Sequence, residues 1–464
     1  MKKSNQKIKN KRIEKDTMGE MEVPFNAYYG AQTQRAVNNF PISNISFIPE
    51  FIKSVVLIKR SAALVNFKLN LLNKSKMNLI IKACDELLSG KHKDQFPIDI
   101  FQTGSGTSTN MNVNEVISNV ANSFSDEIIH PNDDVNMGQS SNDVIPTAIH
   151  VSSFLMVEEK LLPSLNILLE TLDRKSNEFK NVLKIGRTHL QDATPMTLGQ
   201  EFSGYAQMIS SSIDRINLSK INLQNIAQGG TAVGTGINTH PDFGQMVAEE
   251  ISNYTSNTFF EASNHFQAQS SQDAAVEFSG SLKTLSVCLN KIANDIRWLA
   301  SGPRSGLGEL IIPPVQPGSS IMPGKVNPVI CESMIQVCSQ VIANDTAITL
   351  GGLGAVLELN LMLPMIGHNL LYSIKILSNA ILMFNDKLLV NLKADEKKCN
   401  DYIEGSLAMC TALAPVIGYE KAAAIAYQAY NEGKTVREVA LEKKVLSEEK
   451  INLILDPFSM IKPK

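Results

Sequence analysis

Leu282-Lys283-Thr284-Leu285-Ser286-Val287-Cys288-Leu289-Asn290-Lys291-Ile292-Ala293-Asn294-Asp295-Ile296-Arg297-Trp298-Leu299 carries the strongest structural signal in the chain. Leu282, Leu285, Leu289, Ile292, Ile296 and Leu299 recur at alternating steps of three and four residues. That spacing is the heptad seam of a long helix. Similar periodic segments run over 147–180, 199–228, 328–350 and 358–392, with Gly- and Pro-rich loops between them. Five long helices in succession predict a helical bundle. Helices of this kind also make subunit contacts, because neighbours can bury more than one face. Residues 1–139 read as a mixed, mostly helical domain of short apolar pieces and polar turns. Residues 140–396 read as the central bundle. Residues 397–464 read as a small, more charged helical domain punctuated by Gly418, Gly433 and Pro457. The expectation is a mainly α chain in three parts.

Length and composition agree with that division. The chain has 464 residues, enough for roughly three domains and for a large core without staples. Lys+Arg is 43 against Asp+Glu 46, a formal charge of −3, too balanced to argue for a nucleic-acid partner. Hydrophobic residues make up 43% and charged residues 19%, which excludes wholesale disorder. No CxxC pair occurs among Cys84, Cys288, Cys331, Cys338, Cys399 and Cys410. The six are expected to be free thiols in a reducing compartment, with no zinc ribbon or iron–sulfur site. Lys2, Lys3, Lys7, Lys9, Lys11, Arg12 and Lys15 make the N-terminus basic. No apolar run follows to make it a secretory signal, and no stretch is long and apolar enough to span a bilayer. A cytoplasmic protein is expected.

The most specialised segment is Gly318-Ser319-Ser320-Ile321-Met322-Pro323-Gly324-Lys325-Val326-Asn327-Pro328. Its Pro and Gly residues forbid regular helix through most of its length, and Pro328 can open the next helix. The loop therefore delivers Lys325, Asn327 and main-chain N–H groups to a helix N-terminus, a natural anion site. It is not a phosphate loop of the Walker type. Five residues separate Gly318 from Gly324-Lys325, and Val326 stands where Ser or Thr is needed.

Other polar runs precede helices. His189 lies in Gly186-Arg187-Thr188-His189-Leu190-Gln191-Asp192, where a His crowded by polar groups is a candidate acid or base. Gly138-Gln139-Ser140-Ser141-Asn142-Asp143 can cap a helix or hold a carboxylate. Thr103-Gly104-Ser105-Gly106-Thr107 lets main chain approach a ligand closely. It is not a nucleophile elbow, since Thr103 replaces the first Gly. Gly229-Gly230-Thr231-Ala232-Val233-Gly234-Thr235-Gly236 follows no strand pattern and is not a dinucleotide fingerprint. Together the set has no metal-ligand spacing and no phosphate cradle. It suits a small dianion held by neutral donors, helix ends and one Lys. The matching chemistry is proton abstraction beside a carboxylate, with stabilisation of the resulting aci-carboxylate.

The 318–328 stretch resembles the signature of the fumarase/aspartase superfamily. The resemblance extends from Asp16-Thr17-Met18-Gly19 and Tyr29-Gly30-Ala31-Gln32-Thr33-Gln34-Arg35 to Gly418-Tyr419-Glu420-Lys421-Ala422-Ala423. It is nearest to the class II, iron-independent fumarases. Gly324 stands where aspartases carry Ala, and His189 where they carry Gln. Those two positions argue against an aspartate ammonia-lyase. Retention of Ser319, His189 and Lys325 argues against a crystallin-like structural protein.

The resemblance implies reversible hydration of fumarate to L-malate with no cofactor and no metal. It implies a homotetramer with a twenty-helix core and active sites shared by three subunits, without nucleic acid or membrane. By resemblance Ser319 is the base at C3. Lys325 and Asn327 take up the developing charge. His189 acts at the leaving hydroxyl, polarised by Glu332. Ser105, Gly106, Thr107, Ser140, Ser141, Asn142, Thr188, Ser320 and Val326 hold the substrate. A second dicarboxylate site is implied at His130, Pro131, Asn132 and Asp133. There Glu127 replaces an Arg of well-known bacterial members, and a weakened second site is expected.

Overall fold

The structure is a computed structural model that describes residues 11–463; the basic N-terminal residues 1–10 lie outside the described residues. The chain is mainly helical. Among the described residues its strands form only two-stranded pairs. It divides into two compact units. Among the described residues the first comprises 11–162, 214–284 and 340–377, and the second 163–213, 285–339 and 378–463. Several boundaries fall inside long helices, so those helices contribute to both units.

The heptad seam is a buried face of the helix Asp273–Leu299. Leu282, Leu285, Leu289, Ile292, Ile296 and Leu299 are all buried. Each such side chain contributes roughly 1.5–3 kcal/mol by leaving water. The other long helices are Ser141–Met156 with its continuation Leu162–Glu178, Leu198–Ser219, Val329–Gly352 and Leu363–Phe384.

Three expected boundaries shift for local reasons. The first helix starts at Ser141 rather than 147, because Ser140 and Asp143 form a capping box; Pro146 is accommodated inside the helix. The second is α-helical to Ser219 and tightens into a 3-10 segment, Lys220–Gln224, before Asn225–Ile226 pairs with Phe260–Glu261 as a short parallel ladder. The last starts at Leu363, with Pro364 in its first turn, after the small hairpin Ala355–Val356/Leu359–Asn360.

In the first unit, helices Pro49–Lys68, Lys74–Leu88, Thr107–Asn122 and Ser141–Met156 carry Phe51, Val55, Ile58, Ile80, Val116, Ile117, Ile145 and Ile149 into the core. In the second, Ile185 of the hairpin Leu183–Thr188/Gln191–Thr197 joins Ile403, Met409, Leu413, Ile425, Val436, Val439 and Ile451 in one apolar cluster. No described helix is long and apolar enough to cross a membrane. All six cysteines are free.

Candidate active site

In the first unit, the N-termini of two helices bring three hydroxyls into one chain. Ser105 Oγ lies 2.9 Å from Thr107 Oγ1, which lies 2.7 Å from Ser141 Oγ. Thr107 opens the helix Thr107–Asn122 and Ser141 opens Ser141–Met156. Two helix ends with converging hydroxyls make an anion-receptive surface. Glycines permit the approach. A Cβ on Gly104 would stand 2.1 Å from Leu361 O, and Gly106 takes a left-handed φ of +74° against Ile145.

Ser140 uses its hydroxyl as the cap, accepting from Asn142 N at 3.2 Å. The side chain of Asn142 donates to Ala232 O at 2.7 Å. Asp143, fully buried, receives Ser140 N at 2.9 Å on one oxygen. Its other oxygen receives Thr231 N at 3.0 Å, with Gly229 N and Gln228 Nε2 each at 3.3 Å. The Gly-rich turn that is no dinucleotide fingerprint is thus docked onto the first turn of the helix Ser141–Met156. Burial pushes the Asp143 carboxyl up to about 7, partly offset by those N–H donors and by the Lys59 charge. Lys59 is also fully buried, donates to Asn136 Oδ1 at 2.7 Å, and is pushed down to about 7 by desolvation.

In the second unit, Thr188 and His189 sit at the tip of the hairpin Leu183–Thr188/Gln191–Thr197, exposed to solvent. The two-residue turn is His189-Leu190, with φ of +56° and +61°. That pattern belongs to a type I′ turn, here made without the Asn or Gly that adopt it easily.

The 318–328 loop folds back on itself. Gly318 N donates to Lys325 O at 2.8 Å, and Asn327 Nδ2 donates to Gly318 O at 2.5 Å. Ser319 Oγ accepts two main-chain N–H groups, from Ile321 at 3.2 Å and Met322 at 3.0 Å. Donors aimed at a hydroxyl oxygen favour its anionic form. Ser320, Lys325 and Val326 are exposed, and Asn327 is half-buried. Glu332 lies in the first turn of the helix Val329–Gly352. A cavity of about 640 Å³ adjoins the loop, lined by Arg297, Trp298, Lys325, Asn327, Glu332 and Asp395 among others. No hydrogen bond joins Glu332 to His189 within this chain's described residues. Each unit holds its own part of the expected set.

The residues 130–133 enter a single π-helical turn, Pro131–Val135. Its main-chain donors are largely spent internally. Asp133 N bonds His130 Nδ1 at 3.1 Å, and Asp134 N and Val135 N bond His130 O at 3.1 and 3.2 Å. Glu127 accepts from Ser75 Oγ.

Sequence reasoning missed the docking role of Asp143 and a buried ion cluster around Glu309. For the latter a signal existed: Lys184 stands between Leu183 and Ile185 in an apolar strand.

The family description "Lyase" matches residues 19–343, and "Fumarase C C-terminus" matches 409–462. The class II fumarate hydratase of Bacillus cereus is 51% identical over 458 residues, covering 98% of this chain and 99% of that protein. The class II fumarate hydratase of Helicobacter pylori strain J99 is 51% identical over 459 residues, with the same coverage of 98% and 99%. Among solved structures, a class II fumarase from Schistosoma mansoni superposes with a TM-score of 0.95 at 40% identity, over 97% of this chain and 99% of that one.

Proposed function

Because the chain belongs to the lyase family, and within it to the class II fumarate hydratases, we propose that it interconverts fumarate and L-malate. The observation that carries the mechanism is the Ser319 hydroxyl, whose oxygen accepts two main-chain N–H groups in a loop that also presents Lys325 and Asn327. An unassisted alcohol is far too weak a base for a proton beside a carboxylate. The two N–H donors lower the cost of the alkoxide.

In the dehydration direction the Ser319 oxygen takes the C3 proton of malate. The electron pair is held as an aci-carboxylate, whose second negative charge falls to Lys325, Asn327 and main-chain donors. That pair then forms the C2–C3 double bond as the C2 hydroxyl departs, protonated by His189, as water. Glu332 orients and polarises His189. Ser105, Gly106, Thr107, Ser140, Ser141, Asn142, Thr188, Ser320 and Val326 hold the two carboxylates. No metal or cofactor takes part.

The working form is a cytoplasmic homotetramer in which three subunits complete each site. Exposed apolar side chains on the long helices support this. Leu350, Val287 and Leu218 are 58%, 57% and 70% exposed. Faces like these are usually covered by a partner. At 130–133, internally spent N–H groups and the nearby Glu127 carboxylate support a weak second dicarboxylate site.

The deciding experiment is ultraviolet detection of fumarate formed from L-malate by chelator-treated protein. Absence of turnover, or ammonia release from aspartate instead, overturns the reading. Sedimentation showing an active monomer overturns the shared site.

A further inference from the structure

Two residues before His189, the hairpin is tied into the protein interior by charge. Arg187 Nη1 lies 2.8 Å from Glu309 Oε1. Lys184 Nζ lies 3.3 Å from Glu309 Oε2 and 2.9 Å from Glu201 Oε2. Glu309 is 0% exposed and Lys184 1%. Neither Glu309 oxygen receives a well-directed hydrogen bond, so charge rather than hydrogen-bond geometry holds it. The Arg187 guanidinium also lies 5.6 Å from the ring centre of Tyr402, whose hydroxyl donates to Leu307 O at 3.0 Å.

The Glu309 main chain is itself fixed. Its N–H donates to Leu299 O at 2.8 Å, and its carbonyl accepts from Asp395 N at 2.9 Å. The next two residues, Leu310–Ile311, pair with Lys393–Ala394. The carboxylate is therefore a rigid post, and Arg187 is the link from it to the tip.

The tip needs such a link. His189 and Leu190 are exposed and hold positive φ without Gly or Asn, a conformation that persists only when its surroundings impose it. A shift of register between Ile185 and Arg187 interrupts the ladder just below. Buried ion clusters are poor sources of stability, because desolvation offsets their attraction. One placed beneath a strained, functional turn is better explained by the geometry it imposes.

We propose that Glu309 is a positioning residue for hydration: by gripping Arg187 it holds the His189 turn in its reactive orientation. This rests on the functional reading above. Glu309 touches no substrate. It acts through the hairpin.

The test compares Glu309→Gln, which keeps the shape and removes the charge, with wild type in two measurements. Turnover of malate should fall about 10–100-fold, the scale for losing support behind a working group, with KM within about threefold. Hydrogen–deuterium exchange should quicken in peptides covering 186–192 and stay unchanged in those covering 419–455. Arg187→Gln, which leaves Glu309 paired with Lys184, should reproduce both effects and serves if the first variant does not fold. The double variant should lose little more than either single one. Unchanged turnover, a loss expressed in KM alone, or faster exchange throughout the second unit overturns the proposal. If wild type has no malate turnover the functional reading fails, while the exchange measurement still decides whether Glu309 holds the turn.

Discussion

Replacing Gly318 with Ala isolates the closure of the 318–328 loop. Gly318 does not have a positive φ, so Ala meets no conformational obstacle there. The obstacle is space. An added Cβ would lie 2.3 Å from Lys325 O and 3.0 Å from Asn327 N. Restoring an ordinary contact requires a retreat of roughly 1 Å. That movement stretches the 2.8 Å bond from Gly318 N to Lys325 O and the bond from Asn327 Nδ2 to Gly318 O. Lys325 and Asn327, the proposed charge-stabilising pair, are displaced together relative to Ser319. Misplacement of reacting groups by about 1 Å costs on the order of 100-fold in rate. The loop is largely exposed, so the melting temperature should stay within about 2 °C, as for surface changes. The assay is malate dehydration followed at the fumarate absorbance, alongside thermal unfolding. Turnover within threefold of wild type would show that the closed loop is not the working one.

Ser319→Ala and His189→Asn should each reduce turnover at least ~100-fold, the usual scale for a positioned base or acid. Lys325→Met should do comparable damage by removing charge from the developing dianion; wild-type rates in any of these would remove that residue from its role. For the second site, equilibrium titration of His189→Asn with malate should show one saturable site per subunit, and Glu127→Arg should strengthen a weak second one. Two sites of comparable affinity would refute this. Stability should also depend on pH through Asp143 and Lys59. Burial raises the Asp143 carboxyl from 3.8 to about 7, so the folded state keeps a proton that the unfolded chain has lost. Its contribution is full below about pH 4 and fades as pH rises to 7. Lys59 is lowered from 10.5 to about 7, so its contribution is full above about pH 10.5 and fades as pH falls to 7. Urea midpoints across pH should lose the acid-side slope in Asp143→Asn and the alkaline-side slope in Lys59→Met; unchanged slopes would contradict the assignment.

Periodic burial was legible because helix geometry projects directly onto residue spacing. Every seam position from Leu282 to Leu299 is buried, and helix-breaking Pro and Gly marked the 318–328 loop. Boundaries were less legible. The start at Ser141 depended on a capping box that outweighed Pro146. The helical path runs on through the 3-10 segment Lys220–Gln224 and gives way at Asn225–Ile226, which pairs with Phe260–Glu261, a partner distant in sequence.

Residue types by themselves point to a dianion chemistry, since hydroxyls, amides and one Lys at helix starts are local features. What spacing along the chain does not encode is which groups meet across it. Tertiary structure alone joined Ser105, Thr107 and Ser141 into one hydroxyl chain and docked the Gly-rich turn on Asp143. It also set Glu309 under a hairpin more than a hundred residues earlier in the sequence. Burial of a charge and the identity of its partner arise only when separate segments pack, so neither composition nor periodicity carries them.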